Sequence, residues 1–142
     1  NFAKLLPILS VDLVIKNRNR FLLAKRNNFP AKNKYCFIGG IVQKNEKITT
    51  SIKRILIREL GIKAKKINFI TFKQFSFPKD FSNLKTKINY LSLCHEIILS
   101  DKEINLITLN HENKGFILMD KKNILKKSDV LSQVKRLIKE IY

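Results

Sequence analysis

Apolar and polar positions fall into blocks along the chain. Ile8 to Lys16 is rich in Val, Ile and Leu and reads as a strand. The polar run Asn17-Arg18-Asn19-Arg20 closes it as a hairpin turn, and Phe21 to Lys25 returns as a second strand. Tyr35 to Val42 reads as another strand, interrupted by Gly39-Gly40. A polar loop, Gln43 to Thr49, leads into Thr50 to Leu60, where apolar residues recur at helical spacing until Gly61 stops them. Ile67 to Phe77 and Lys87 to Leu99 read as two longer strands around the polar loop Pro78 to Thr86. Gly115 to Met119 reads as a short last strand, and from Lys121 onward Leu and Ile recur at helical spacing to the end. Helices between hairpin-linked strands predict an α+β arrangement, a mixed sheet with helices packed on it.

One position breaks the pattern. On a helix turning about 100° per residue, Ile52, Ile55, Leu56 and Leu60 share one face, which must be the buried stripe. Arg54 and Arg58 fall nearly opposite, whereas Glu59 lands in the middle of the stripe. A carboxylate there is costly unless it is paired or bound to a metal. Pairing with a distant Lys or Arg is one reading. A metal is the other, because Gly39-Gly40 lets the backbone approach closely and Glu46 precedes the helix in a polar loop. Carbonyls and carboxylates from loop and helix would suit one hard cation such as Mg²⁺.

Composition narrows the class. The 142 residues suit one domain, residues 1–142, with a substantial core. With 44% hydrophobic and 28% charged residues, this is an ordinary globular balance, and no stretch approaches a membrane span. The opening segment is too short and polar for a signal peptide, so a cytoplasmic location is expected. The chain opens on Asn1 rather than Met, which leaves a removed targeting segment open. Cys36 and Cys94 lie in apolar runs without a Cys-x-x-Cys spacing and read as reduced core residues, with a disulfide as the alternative. The net charge is +18, from 29 Lys plus Arg against 11 Asp plus Glu. Such a field would attract nucleic acid. The lysines are dispersed along the chain, however, without a zinc-finger spacing or an aromatic-basic RNA motif. A lysine-rich solvated surface is therefore preferred over a nucleic-acid partner, and it also suits an anionic nucleotide substrate.

Gly40, Glu46, Arg54, Leu56, Glu59, Gly61 and Ile62 stand at the spacing of the Nudix box. The chain thus resembles the Nudix hydrolases, whose fold is a mixed β-sheet sandwiched between α-helices. Ile55 and Arg58 occupy two places where the general family carries Glu. One subfamily lacks the same two carboxylates and holds a single Mg²⁺, the GDP-mannose mannosyl hydrolases. Ser10-Val11-Asp12, Phe21 to Arg26, Asn28, Pro30-Ala31, Gly39 to Glu46 and Glu59-Leu60-Gly61 look like that subfamily's sequence. The match is close from about Pro7 to Ile62 and looser beyond, with anchors at Tyr90 and Asn110-His111.

The resemblance implies hydrolysis of GDP-mannose or GDP-glucose at sugar C1 with inversion, giving GDP and free sugar. It implies Mg²⁺, with Mn²⁺ as the alternative ion, on the Gly39 carbonyl, the Glu59 carboxylate and the Asn110 amide, Asn110 standing where the family has Gln. His111 matches the general base, Arg26 a leaving-group arginine and Asp12 a substrate-site carboxylate. Tyr90 matches a substrate contact and Arg54 an arginine beside the metal-binding helix. A homodimer packed through Asn1 to Pro7 is implied as well. Each role has a plainer alternative: a turn or ion-pair Asp12, a Tyr90 in strand core, a His111 that is only a loop residue. His95 alternates within a strand and reads as structural. Ile41 replaces a family arginine that contacts the leaving diphosphate, a place Arg58 could fill. Two other functions stay open. One is pyrophosphohydrolysis at phosphorus, and the other is a binding module that has lost activity, in keeping with the departures at Ile38, Ile41 and Asn110.

Overall fold

The structure is a computed structural model that describes residues 6–27, 31–77, 88–110 (backbone alone from 108) and 115–142. Seven strands and four helices run through these residues: β1 (Ile8–Asn17), β2 (Arg20–Lys25), β3 (Tyr35–Cys36), β4 (Ile38–Ile41), α1 (Ile48–Leu60), β5 (Asn68–Phe77), β6 (Ile88–Ile98), α2 (Asp101–Asn110), β7 (Phe116–Asp120), α3 (Lys121–Lys126) and α4 (Ser132–Ile141).

β1 is the hub of the sheet. Its first half pairs antiparallel with β4, from Ser10 opposite Ile41 to Leu13 opposite Ile38, and its end pairs with β2 through the hairpin. Its other edge lies parallel to β6, from Ile8 opposite Tyr90 to Lys16 opposite Ile98. β5 then pairs with β6, while β3 and β7 pair with β2. Parallel and antiparallel pairs together make the sheet mixed, as the alternating blocks predict.

Side chains two apart on a strand share a face. Val11, Leu13 and Ile15 point to one face and pack with Ile52, Ile55 and Leu56 of α1 and with Ile104 and Ile107 of α2. Val14 points to the other face, where Phe21, Leu23 and Cys94 meet Ile124 of α3 and Val134, Leu137 and Ile138 of α4. The sheet is therefore sandwiched between helices, with a core on each side. Ile52, Ile55, Leu56 and Leu60 are fully covered, so the expected stripe is the real one. Each such side chain contributes about 1.5–3 kcal/mol by leaving water. Gly61 ends α1 at φ 67°, a left-handed turn that costs glycine little, and its N–H donates to the Ile57 carbonyl at 2.9 Å.

Two expectations need correction, and one helix is new. The run Tyr35 to Val42 is two strands broken at Phe37, because β3 serves β2 while β4 serves β1. The C-terminal run from Lys121 is two helices, separated at 127–131, with Asp120 capping the first by accepting from the Asn123 N–H at 2.9 Å. The helix α2 has no counterpart among the elements that the periodicity predicts. Its signal is a capping box: Ser100 Oγ accepts from the Glu103 N–H at 3.2 Å, and the Glu103 carboxylate accepts from the Ser100 N–H at 3.1 Å. The loop 78–86, Asn28, Pro30 and residues 1–5 lie outside the described residues.

Candidate active site

Asp12 shares its sheet face with Val14, the face that α4 covers only in part. There β1, β4, β5, β6, the last turn of α1 and α4 enclose a cavity of about 1090 Å³. Among the described residues its wall carries two carboxylates, Asp12 and Glu59, and six cations, Arg26, Lys32, Arg54, Arg58, Lys73 and Arg136. A surplus of positive charge around a concave site favours an anionic ligand.

β1 brings Asp12 opposite Gly39 of β4 and beside Ser92 of β6, whose hydroxyl donates to Asp12 Oδ2 at 2.6 Å. Burial pushes the Asp12 carboxyl above its ordinary range, against the opposing pulls of the Ser92 hydrogen bond and the Arg26 charge. Only a residue without Cβ fits at Gly39. A methyl group there would stand 2.4 Å from the Val11 carbonyl oxygen and 2.7 Å from Asp12 Oδ1. Gly39→Ala is accordingly expected to destabilise the fold by about 2–4 kcal/mol, since backbone must move to admit the methyl. Urea unfolding measures this, and a midpoint unchanged from the parent would contradict the close approach of β4 to β1.

Glu59 departs from expectation. Its side chain is 38% exposed and stands at the rim of the cavity, not inside the core, with Arg58 Nε donating to Oε1 at 3.0 Å. Glu59 faces Gly39 and an open hollow, while Leu60 beside it stays buried in the core. Gly39 and Glu59 also line a smaller adjoining hollow of about 250 Å³, together with Arg26. One carbonyl, one carboxylate and room for water suit Mg²⁺, which keeps several waters and binds through one or two carboxylates plus substrate phosphates. Among the described residues no cluster of three His, Cys, Asp or Glu forms a closed metal cage, which such an open site does not need.

Glu46 is committed elsewhere. Its carboxylate accepts from Arg54 Nε at 2.8 Å and Nη2 at 3.0 Å and from the Gln43 N–H at 3.0 Å. Arg54 Nη2 also donates to the Ile41 carbonyl at 3.0 Å. The pair clasps the loop after β4 to α1, so Glu46 is a structural carboxylate, and Arg54 lines the cavity with its guanidinium already engaged. Arg54 holds the Glu46 carboxyl down at about 2, well below its ordinary 4.5. A depressed carboxylate contributes stability above the unfolded value and loses it as pH falls toward the folded one. Glu46→Gln is therefore expected to lower the melting temperature at neutral pH. The gap to the parent should close between pH 4.5 and about 2, the window this pair sets. Melting curves across that range check it, and a constant gap would oppose the assignment.

Tyr90 is buried on β6 and lines the cavity, stacked on Phe75 with centroids 5.5 Å apart and edge-on to Phe77 at 5.9 Å. His95 lies on the opposite face, buried, with Nδ1 3.1 Å from the Leu93 carbonyl oxygen and Phe69 edge-on to its ring, a structural position as expected. Cys36 and Cys94 are free and buried, and burial pushes both thiols up to about 12, so they stay protonated at neutral pH. Asn110 is the last residue of α2, and its side chain is outside the description, as is His111. The structure thus brings Asp12, Arg26, Gly39, Arg54, Glu59 and Tyr90 to one cavity. It adds Gln133 on the cavity wall and Ser92 behind Asp12, which no motif singles out. Ser92 was legible only as a polar residue alternating within an apolar strand.

Residues 6–136 match the NUDIX domain family. The chain belongs to the Nudix family. It is 33% identical over 111 residues to the low-salt glycan biosynthesis protein Agl8 of Haloferax volcanii, covering 78% of this chain and 70% of Agl8. It is 36% identical over 63 residues to the 8-oxo-dGTP diphosphatase of Buchnera aphidicola, covering 41% of this chain and 51% of that one. The structure of Shewanella oneidensis NrtR superposes with a TM-score of 0.71 at 14% identity, over 94% of this chain. This Nudix chain spans 61% of NrtR's length. The coarse chemistry goes with the family: hydrolysis of a nucleotide derivative. Among the described residues no helix is long and apolar enough to cross a membrane.

Proposed function

We propose that this Nudix domain hydrolyses a nucleotide sugar, GDP-mannose or GDP-glucose, at sugar C1 with inversion, giving GDP and free sugar. The carboxylate inventory of α1 carries the reading. Where the box offers three acidic places, Ile55 is buried in the core, Arg58 is a cation, and Glu59 alone can serve a metal. Gathering several metal ions for attack at phosphorus needs more negative charge than one carboxylate. Releasing a diphosphate from carbon needs chiefly that its charge be met. The relation to a protein named for glycan biosynthesis supports a sugar-bearing substrate.

In this reading Gly39, Glu59 and Asn110 would hold Mg²⁺ or Mn²⁺, and the ion would supply positive charge to meet a diphosphate leaving group. Water adds to C1 while the C1–O bond breaks, its electrons leave with the diphosphate, and His111 takes the water's proton. Arg26 faces the leaving group, and Asp12, held by Ser92, binds the substrate beside it. Tyr90 offers a ring fixed by Phe75 and Phe77. Arg54 acts through the clasp on Glu46, which sets the path of the chain leaving β4.

Product analysis over a panel of nucleotide sugars with Mg²⁺ is the test. GDP plus free sugar is expected. GMP plus sugar phosphate would instead mean cleavage at phosphorus, the reading that the identity to a diphosphatase favours. Tight binding without turnover would mean a nucleotide- or RNA-binding module.

The same reading includes a cytoplasmic homodimer. Of its N-terminal segment, Leu6 is described and is 60% exposed, an apolar side chain left for a partner to cover. Sedimentation is expected to show a dimer at micromolar concentration, and a monomer there would defeat this part of the proposal.

A further inference from the structure

Among the described residues, two buried side-chain oxygens lack a hydrogen-bond partner, Asp129 Oδ1 and Gln133 Oε1. Asp129 Oδ1 is met by charge, since Lys127 Nζ stands 2.9 Å away. Gln133 Oε1 is left over. A buried acceptor without a donor costs about 1–3 kcal/mol, so each such atom calls for an explanation. Gln133 lies in the first turn of α4 and lines the large cavity. Its neighbours on that stretch of wall are the apolar Leu131, Val134 and Leu137, with Arg136 exposed on the same helix.

The two kinds of cavity wall differ in chemistry. The stretch made by β4 and the end of α1 carries Glu59, Arg58 and the Gly39 backbone, groups for phosphate and metal. The α4 stretch offers three apolar side chains around one orphan acceptor, with the exposed Arg136 as its one cation. A sugar presents hydroxyls on several sides and would leave most of them unpaired against Leu131, Val134 and Leu137. A nucleobase is flat, largely apolar on its faces and carries N–H donors on its edge, and Phe75, Phe77 and Tyr90 supply aromatic surface in the same cavity.

We propose that Gln133 is a specificity-determining residue whose carboxamide oxygen accepts a hydrogen bond from an N–H on the substrate's nucleobase. This rests on the substrate being a nucleotide derivative and is independent of which bond is cut.

The test is calorimetric titration of the full chain with GDP, ADP, UDP and CDP, for the parent, Gln133→Leu and Gln133→Glu. The parent is expected to rank the four bases. In Gln133→Leu the tightest should weaken roughly 10- to 100-fold, with the ranking collapsing, because the base N–H then faces carbon. Gln133→Glu keeps an acceptor and should keep the ranking. Melting curves accompany each variant, and if the Leu variant melts early, Gln133→Met, which keeps the length of the side chain and removes the acceptor, carries the comparison in its place. Unchanged affinities, or an equal loss for all four bases, would overturn the proposal. So would an intact base ranking with an altered sugar ranking among nucleotide sugars that share one base, since Gln133 would then belong to the sugar. A product assay giving GMP in place of GDP would defeat the cleavage reading while leaving this result standing.

Discussion

Glu59→Gln is expected to lower Mg²⁺-dependent kcat/KM by about 10³-fold while the melting temperature holds. The amide keeps the shape of the carboxylate and removes the charge that would hold the cation beside the Gly39 carbonyl. The fold should tolerate this, because Glu59 stands at the cavity rim and its partner is the neighbouring Arg58. Exposed pairs of that kind contribute about 0–1 kcal/mol. Turnover measured against Mg²⁺ concentration, with melting curves beside it, decides the matter. A variant with the parent's metal titration would take Glu59 out of the metal site, leaving Asp12 as the remaining carboxylate on the described wall.

His111→Gln carries the second large effect. A positioned base contributes roughly 10²- to 10⁴-fold, and it should appear in kcat with little change in KM. Only the neutral imidazole accepts a proton, so the parent's activity should rise with pH through the imidazole range, near about 6.5 for an ordinary histidine. The variant should lose that limb. Both constants measured from about pH 5 to 9, a span that brackets the imidazole's titration, separate two roles. A raised KM with kcat retained would make His111 a binding residue, and a wild-type profile would remove it from the chemistry altogether.

The fold was legible wherever one periodicity ran unbroken. Ile52, Ile55, Leu56 and Leu60 are buried as their spacing requires, and Gly61 stops the helix as its freedom at positive φ allows. Strand positions in β1, β5 and β6 agree within about a residue at each end, the usual uncertainty of strand and helix ends. The failures share a cause, which is that periodicity does not say what lies opposite. Glu59 has the phase of a core residue, yet its turn of α1 faces the Gly39-Gly40 strand and a cavity. The Tyr35 to Val42 run has one composition, yet β3 and β4 pair with different strands. Glu46 and Arg54 stand at box positions but gave no sign that they bind each other across eight residues. Ser92 meets Asp12 from 80 residues away, a contact that only the parallel pairing of β1 and β6 creates.

That pairing bears on how the chain is made. β1 can form its three hairpin pairs with β2 at once, but Ser10 to Leu13 must wait for β4, and the whole opposite edge must wait for β6. At ordinary synthesis speeds of 5–20 residues per second, an 80-residue gap is a delay of about 4–16 s. Throughout it, a strand rich in Val, Ile and Leu presents an unpaired edge, the kind of surface that recruits other chains. Nascent or refolding protein should therefore be most vulnerable to aggregation before β6 arrives. Slower growth, lower temperature or a holdase during expression should raise the soluble yield more than any change at the cavity.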